Sequence, residues 1–163
     1  MESILVNLID HLSRELPWAR TIDEDYGQLE ALDDENIDMY PLTFPAILID
    51  LPGTDWSDSG DWTQHGTCQV RVRLILDCYD DTHGGSNTVD QIMQREEKRK
   101  ALHTLLQGYR ANDKGALIRT RSKFFTFNHG IKVYEATYTC AVSEATRKTL
   151  KVERKKLKVV LKS

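Results

Sequence analysis

Four side chains in this sequence carry the donor chemistry of a zinc site: His65, Cys68, Cys78 and His83. Imidazole nitrogen and thiolate sulfur are ligands that zinc accepts readily. Their spacing defeats them. The stretch Thr67 to Tyr79, TCQVRVRLILDCY, alternates with the period of a β-strand and sets Cys68, Val70, Val72, Leu74, Leu76 and Cys78 on one face. Cysteines at the two ends of such a strand lie roughly 33 Å apart at about 3.3 Å per residue. Zinc holds its ligands at about 2.0–2.3 Å. Cys68, Cys78 and Cys140 read instead as small core residues. A nucleophilic cysteine needs a neighbouring base and a depressed pKa. Only His65 lies close to a cysteine in sequence, and that cysteine faces the apolar side. Asp80, Asp81 and His83 have the donors of a metal loop but the composition of a solvated turn. There is no P-loop, no dinucleotide-binding glycine pattern and no helix-turn-helix signature. The expectation is a protein with no catalytic residues, no metal and no cofactor.

The strand that removes the metal site also organises the chain around it. Its other face carries Gln69, Arg71, Arg73, Asp77 and Tyr79, with Ile75 as the lone aliphatic. One dry and one charged face predict an antiparallel sheet covered on one side. Thirteen residues reach roughly 43 Å when extended, well above the usual strand length of about five or six residues. The strand is therefore expected to bend or to project toward another subunit. Upstream, Ile4, Leu5, Leu8, Ile9, Leu12 and Leu16 follow helical spacing, and Pro17 ends that helix. Residues 21–43 are acidic and weakly patterned. Phe44 to Leu51 is a short apolar run bounded by prolines, as suits a strand near a sheet edge. The stretch PGTDWSDSGDWTQHG predicts a long loop that holds Trp56 and Trp62 among Asp55, Asp58 and Asp61.

After the central strand, Thr88 and Gln91 have capping-box spacing and predict a helix over 89–109. Val89, Ile92 and Met93 fall on one side of it, whereas Leu102, Leu105, Leu106 and Tyr109 fall nearly opposite. The two halves are thus expected to pack on different surfaces. Residues 116–127 and 132–142 alternate and read as a hairpin about Asn128-His129-Gly130. Leu117, Arg119, Arg121, Lys123 and Phe125 are assigned to one face, and the basic faces are expected to meet acids or to lie apart. The whole predicts a single α+β domain, a mainly antiparallel sheet flanked by two helices, over residues 1–143. A basic C-terminal extension follows over 144–163.

Composition limits the setting. No apolar run nears the roughly 20 residues of a membrane span, no secretory signal is legible at the N-terminus, and three unpaired-looking cysteines fit a reducing compartment. The net charge of −3 conceals strong segregation. Twelve Asp or Glu and no Lys or Arg lie between Thr21 and Cys68; eight Lys or Arg against two Glu lie between Glu144 and Ser163. The two segments face each other within one fold, or are simply solvated, or make complementary patches between identical subunits paired head to tail. Nucleic-acid binding by the basic end is a third reading, and the acidic excess works against it.

The strand FPAILIDL, the strand TCQVRVRLILDCY, the helix EEKRKALHTLLQGYR and the pair IRTRSKFFTF and KVYEATYTCAVSE give an order of elements. In that order, over about residues 1–143, the chain resembles the tail-terminator and tail-completion (head–tail joining) proteins of long-tailed bacteriophages. The resemblance implies an α/β fold with an antiparallel sheet and flanking helices. It also implies a non-enzymatic virion protein of the tail or neck, present in the host cytoplasm during assembly. It implies self-association into a ring, usually hexameric, that stops tail-tube growth and joins the tail tube to the head connector, with genomic DNA passing through unrecognised. Such a channel should be neutral or acidic, since basic walls would hold phosphates, so Lys155 and Lys156 should not line it. Candidate interface residues are Trp56, Asp58, Asp61 and Trp62 in the loop, Arg71 and Arg73 on the long strand, Arg119, Arg121 and Lys123 on the later strand, and Lys155 and Lys156 in the tail. The alternative is a nucleic-acid-binding module using the same basic strands and tail, with Phe124, Phe125 and Phe127 stacking on bases. An enzyme with a site in the Asp/Trp loop is the third possibility, without a coherent set of residues behind it.

Overall fold

The N-terminal apolar stripe forms helix α1 (Glu2–Glu15), with Ile4, Leu5, Leu8 and Leu12 buried and Leu16 extending the stripe beyond the last turn. Each fully buried leucine contributes about 1.5–3 kcal/mol by leaving water. The computed structural model describes residues 2–33, 42–78 and 87–146. Expectations for the 79–86 turn, for Ile37 and Pro41, and for the tail with Lys155 and Lys156 fall outside the described residues.

A single α+β domain is built on a five-stranded sheet in the order β1-β2-β3-β5-β4. Its strands are β1 (Thr21–Glu24), β2 (Ala46–Asp58), β3 (Thr63–Asp77), β4 (Ile118–Thr126) and β5 (Ile131–Ala145). All pairings are antiparallel except β1 with β2. The weakly patterned segment 21–43 therefore supplies a short parallel edge strand. A 3-10 turn at Glu30–Asp33 follows it. Helix α2 (Thr88–Leu106) lies on the same face as α1, and both close one core with Ile47, Ile49, Val70, Val72 and Leu74. His11 stacks on Tyr109 with ring centroids 3.9 Å apart, and Asn7 Nδ2 donates to the Ala111 carbonyl at 2.9 Å, so α1 is tied to the chain leaving α2.

Several expectations need correction. The predicted loop over 52–66 is strand: β2 and β3 are one long hairpin, closed by residues 59–62. Pro52 and Gly66 suggested a loop, but each has a local use within the ribbon. Pro52 lies where the register shifts between Asp50 and Gly53, a bulge where a missing N–H is tolerated. Gly66 is crossed by Trp56; an added Cβ would meet the Trp56 ring at 2.8 Å. The capping box does not form. Thr88 is already helical, Asn87 occupies the cap position without a side-chain capping bond, and Gln91 N donates to the Asn87 carbonyl. The helix ends at Leu106 rather than Tyr109, because Gly108 adopts φ +83° and turns the chain away.

Two further corrections concern the sheet faces. The outer face is not uniformly charged: Ile75 joins Leu29, Leu42, Ala46, Leu48, Ile131 and Val133 in a second, smaller core. In β4 a bulge between Arg119 and Arg121 breaks the simple alternation. Arg119 pairs with Tyr138 and so shares the helix-covered face, while Arg121 pairs with Thr137 and points the other way. The predicted 128–130 turn and the pairing of its flanking strands are as expected.

Candidate functional site

Three regions gather the residues that the sequence singled out. The first is the outer face of β3. Arg71 Nη2 lies 2.6 Å from Asp50 Oδ2, and Arg73 reaches Glu30 Oε1 at 2.6 Å and Glu135 Oε2 at 3.3 Å. Asp25 Oδ2 lies 3.3 Å from Arg73 Nε but accepts no hydrogen bond among the described residues, so its compensation is coulombic. Burial works against the Arg73 charge, yet Glu30, Asp25 and Glu135 outweigh it and hold its pKa above the ordinary value. Lys123 completes the row with Glu135 at 3.1 Å. The acidic segment after Thr21 thus meets basic groups inside the same fold. Arg71 and Arg73 hold that segment onto the sheet.

The second region is the far end of the β2–β3 hairpin. From Gly53 to Asp58 and from Thr63 to Gln69 the two strands continue as a ribbon with β5 as its third strand, and Cys68 is its fully buried member. Asp55, Trp56, Asp58, Asp61 and Trp62 all cluster there, and all are exposed or half-exposed. Trp62 is 62% exposed. At the tip, Gly60, Asp61 and Trp62 have φ of +77°, +50° and +62°. Glycine tolerates that conformation, but a bulky side chain rarely adopts it, and such positions cluster at functional sites. The Trp62 carbonyl accepts from Thr146 N and Oγ1, which ties the tip to the end of β5.

The third region escaped the sequence reading. A cavity of about 330 Å³ opens between α2 and the β5–β4 edge. Leu102, Leu106, Phe124 and Tyr134 supply apolar and aromatic walls, and Arg99, His103, Arg119 and Tyr138 bring polar groups. His103 Nδ1 and Tyr138 Oη are 2.9 Å apart. Burial, then Arg119 and Arg99, lower the His103 pKa; burial pushes the Tyr138 hydroxyl up to about 12 despite those arginines. Both shifts favour the uncharged forms, a neutral imidazole paired through Nδ1 with a protonated tyrosine hydroxyl. Arg99 is held by Glu96 through two hydrogen bonds of 2.7 and 2.6 Å. Among the described residues neither Arg119 nor Arg121 makes a side-chain ion pair, and both are exposed. The signal was present in helical spacing, Arg99, His103 and Leu106, and in strand spacing, Tyr134 and Tyr138. Only the docking of α2 on β5 joins them.

No group of three or more His, Cys, Asp or Glu among the described residues is placed to hold a metal. Cys68 lies directly across from Cys140, buried. A hydrogen bond from Cys140 lowers the Cys68 pKa against the effect of burial, and the same contact with burial raises that of Cys140. No described helix is long and apolar enough to cross a membrane.

The sequence matches no protein-family model and no curated protein. The fold is similar to that of a chain in a solved virion of a native gene transfer agent (GTA) particle. The TM-score is 0.51 and the identity 12%, over 86% of this chain and 94% of that one. At this identity the likeness is one of fold, and it spans nearly the whole of both chains.

Proposed function

We propose that this protein is a structural component of a phage-like virion: a tail or neck subunit that forms a ring, terminates the tail tube and joins it to the head connector. The observation that carries the reading is the fold held in common with a chain of a GTA virion, over most of both chains. The surface chemistry is consistent with it. A closed ring needs two unlike patches on each subunit. This chain has an acidic, tryptophan-bearing hairpin end and, at the opposite edge of the sheet, the exposed basic strand β4. Residues 144–163 act in this reading as a basic extension of the 1–143 domain toward a neighbouring virion protein, and acidic side chains rather than Lys155 and Lys156 face the DNA channel. Electron microscopy of the purified full chain tests it. Closed rings of uniform diameter are expected. Open filaments or scattered monomers at every concentration would refute it.

The nucleic-acid reading is weaker on one specific observation. Phe125 and Phe127 pack against the second core, and Phe124 stacks on Tyr134 with centroids 4.4 Å apart, so the three aromatics do not form an exposed stacking row.

A further inference from the structure

We propose that the hairpin tip of one subunit docks into the cavity beneath α2 of the next, with Trp62 entering the apolar walls and Asp61 facing Arg119. The inference rests on the ring reading above and gives that ring its contact.

Charge complementarity selects the occupant. The tip carries Asp55, Asp58 and Asp61, and no Lys or Arg occurs between Thr21 and Cys68. The cavity rim carries Arg119, exposed and without an ion pair among the described residues. Size and polarity agree. About 330 Å³ lies within the range of about 300–1,000 Å³ typical of sites that take compact organic groups. An indole is flat and apolar with one N–H donor. Leu102, Phe124 and Tyr134 offer it apolar contact. Tyr138 Oη and His103 Nδ1, 2.9 Å apart, add polar atoms to the same lining.

Reach excludes an intramolecular contact. Thr63, at the tip end of β3, pairs with Ala145, whereas Ile118, at the start of β4, pairs with Thr139. Six residues of β5 separate the two positions, about 20 Å in extended chain. The pairing of both strands to β5 fixes that separation, so a tip can fill only another copy's cavity. Donor and acceptor surfaces at opposite parts of one sheet give a head-to-tail contact, the geometry a ring requires. Tryptophan and arginine are also the residues that most often dominate interface energetics.

The test uses the full-length chain in sedimentation velocity at graded concentrations. Wild type is compared with Trp62→Ala, Asp61→Arg, Arg119→Asp, the Asp61→Arg/Arg119→Asp double variant, and an equimolar mixture of the two single charge variants. Circular dichroism melting confirms that each remains folded, as expected for exposed positions. Wild type should assemble. Trp62→Ala and each charge reversal should weaken the contact at least about tenfold, in the range of interface hot spots. The double variant and the mixture should both recover assembly, because each reversed tip then meets an oppositely charged cavity. An assembled wild type whose dissociation constant is unchanged in Asp61→Arg and Trp62→Ala would overturn the docking and leave the ring standing. Loss of assembly without recovery in the double variant or mixture would also overturn the pairing. A wild type that is monomeric at every concentration would overturn the ring reading itself.

Discussion

The two halves of β3 belong to one uninterrupted strand and live in different surroundings. From Val70 to Leu76 both faces are covered: the helices close over Val70, Val72, Leu74 and Leu76, while Ile75 sits in the second core and Arg71 and Arg73 bind the acidic segment. From Thr63 to Thr67 the same strand is exposed or half-exposed and is joined only to β2 and β5. Strand pairing, with Trp56 lying across Gly66, carries the ribbon out to an exposed tip. The difference teaches that the covered half maintains the fold and the bare half is available for contact. In the bare half, exposed tryptophans and carboxylates can be selected for a partner at little cost to the domain.

The sharpest way to break this comparison is to truncate one large side chain in each half. Leu74→Ala, at a fully buried position, should lower unfolding free energy by about 2–5 kcal/mol. Trp62→Ala should stay within about 0.5 kcal/mol when both are measured by denaturant unfolding under monomeric conditions. Equal losses would mean that the ribbon is part of the cooperative core. A smaller effect separates the two roles open to the arginines. Arg73→Ala leaves Asp25, 4% exposed, with Arg71 at 3.9 Å, and Glu135, 11% exposed, with Lys123 at 3.1 Å. It should cost about 2 kcal/mol, as for the loss of hydrogen bonds to charged groups; Glu30, more open to water, limits the loss. Unchanged stability together with lost assembly would return Arg73 to the interface.

The smallest expected effect is a pH slope. His103 has a folded-state pKa below its ordinary value of 6.5, from burial and then from Arg119 and Arg99. The unfolded chain therefore takes up the proton first. Stability is full above about pH 6.5 and falls on acidification until the folded imidazole also protonates. His103→Asn should flatten that slope in urea titrations across pH 5 to 7.5, buffered to constant ionic strength. An unaltered slope would place the acid sensitivity elsewhere, and a steeper one would contradict the lowered pKa.

The fold was legible wherever one face of an element is dry. The α1 stripe, the Cys68–Leu76 alternation and the Tyr134–Val142 face each set apolar side chains toward the helix-covered core and mainly polar ones away from it, so period and burial coincide. The ribbon was misread because neither of its faces is buried, and without that contrast Pro52, Gly66 and the aspartates look like a loop. The β4 faces were misassigned beyond one bulged residue, since a single insertion exchanges sides for everything after it.

The sequence by itself determined a mainly antiparallel α+β domain, the placement of Cys68 and Cys78 toward opposite ends of one strand, and a stretch rich in tryptophan and aspartate. Only tertiary structure decided that Arg71 and Arg73 turn inward to acids of their own chain while Arg119 and Arg121 stay open. It alone joined Arg99 and His103 from one helix to Tyr134 and Tyr138 from one strand around a cavity. The physical reason is distance along the chain. Local pattern records which face of an element is apolar, because one element's side chains carry that record. Which charge meets which, and where two faces leave a gap, depends on the docking of elements tens of residues apart, and no short window of sequence holds that information.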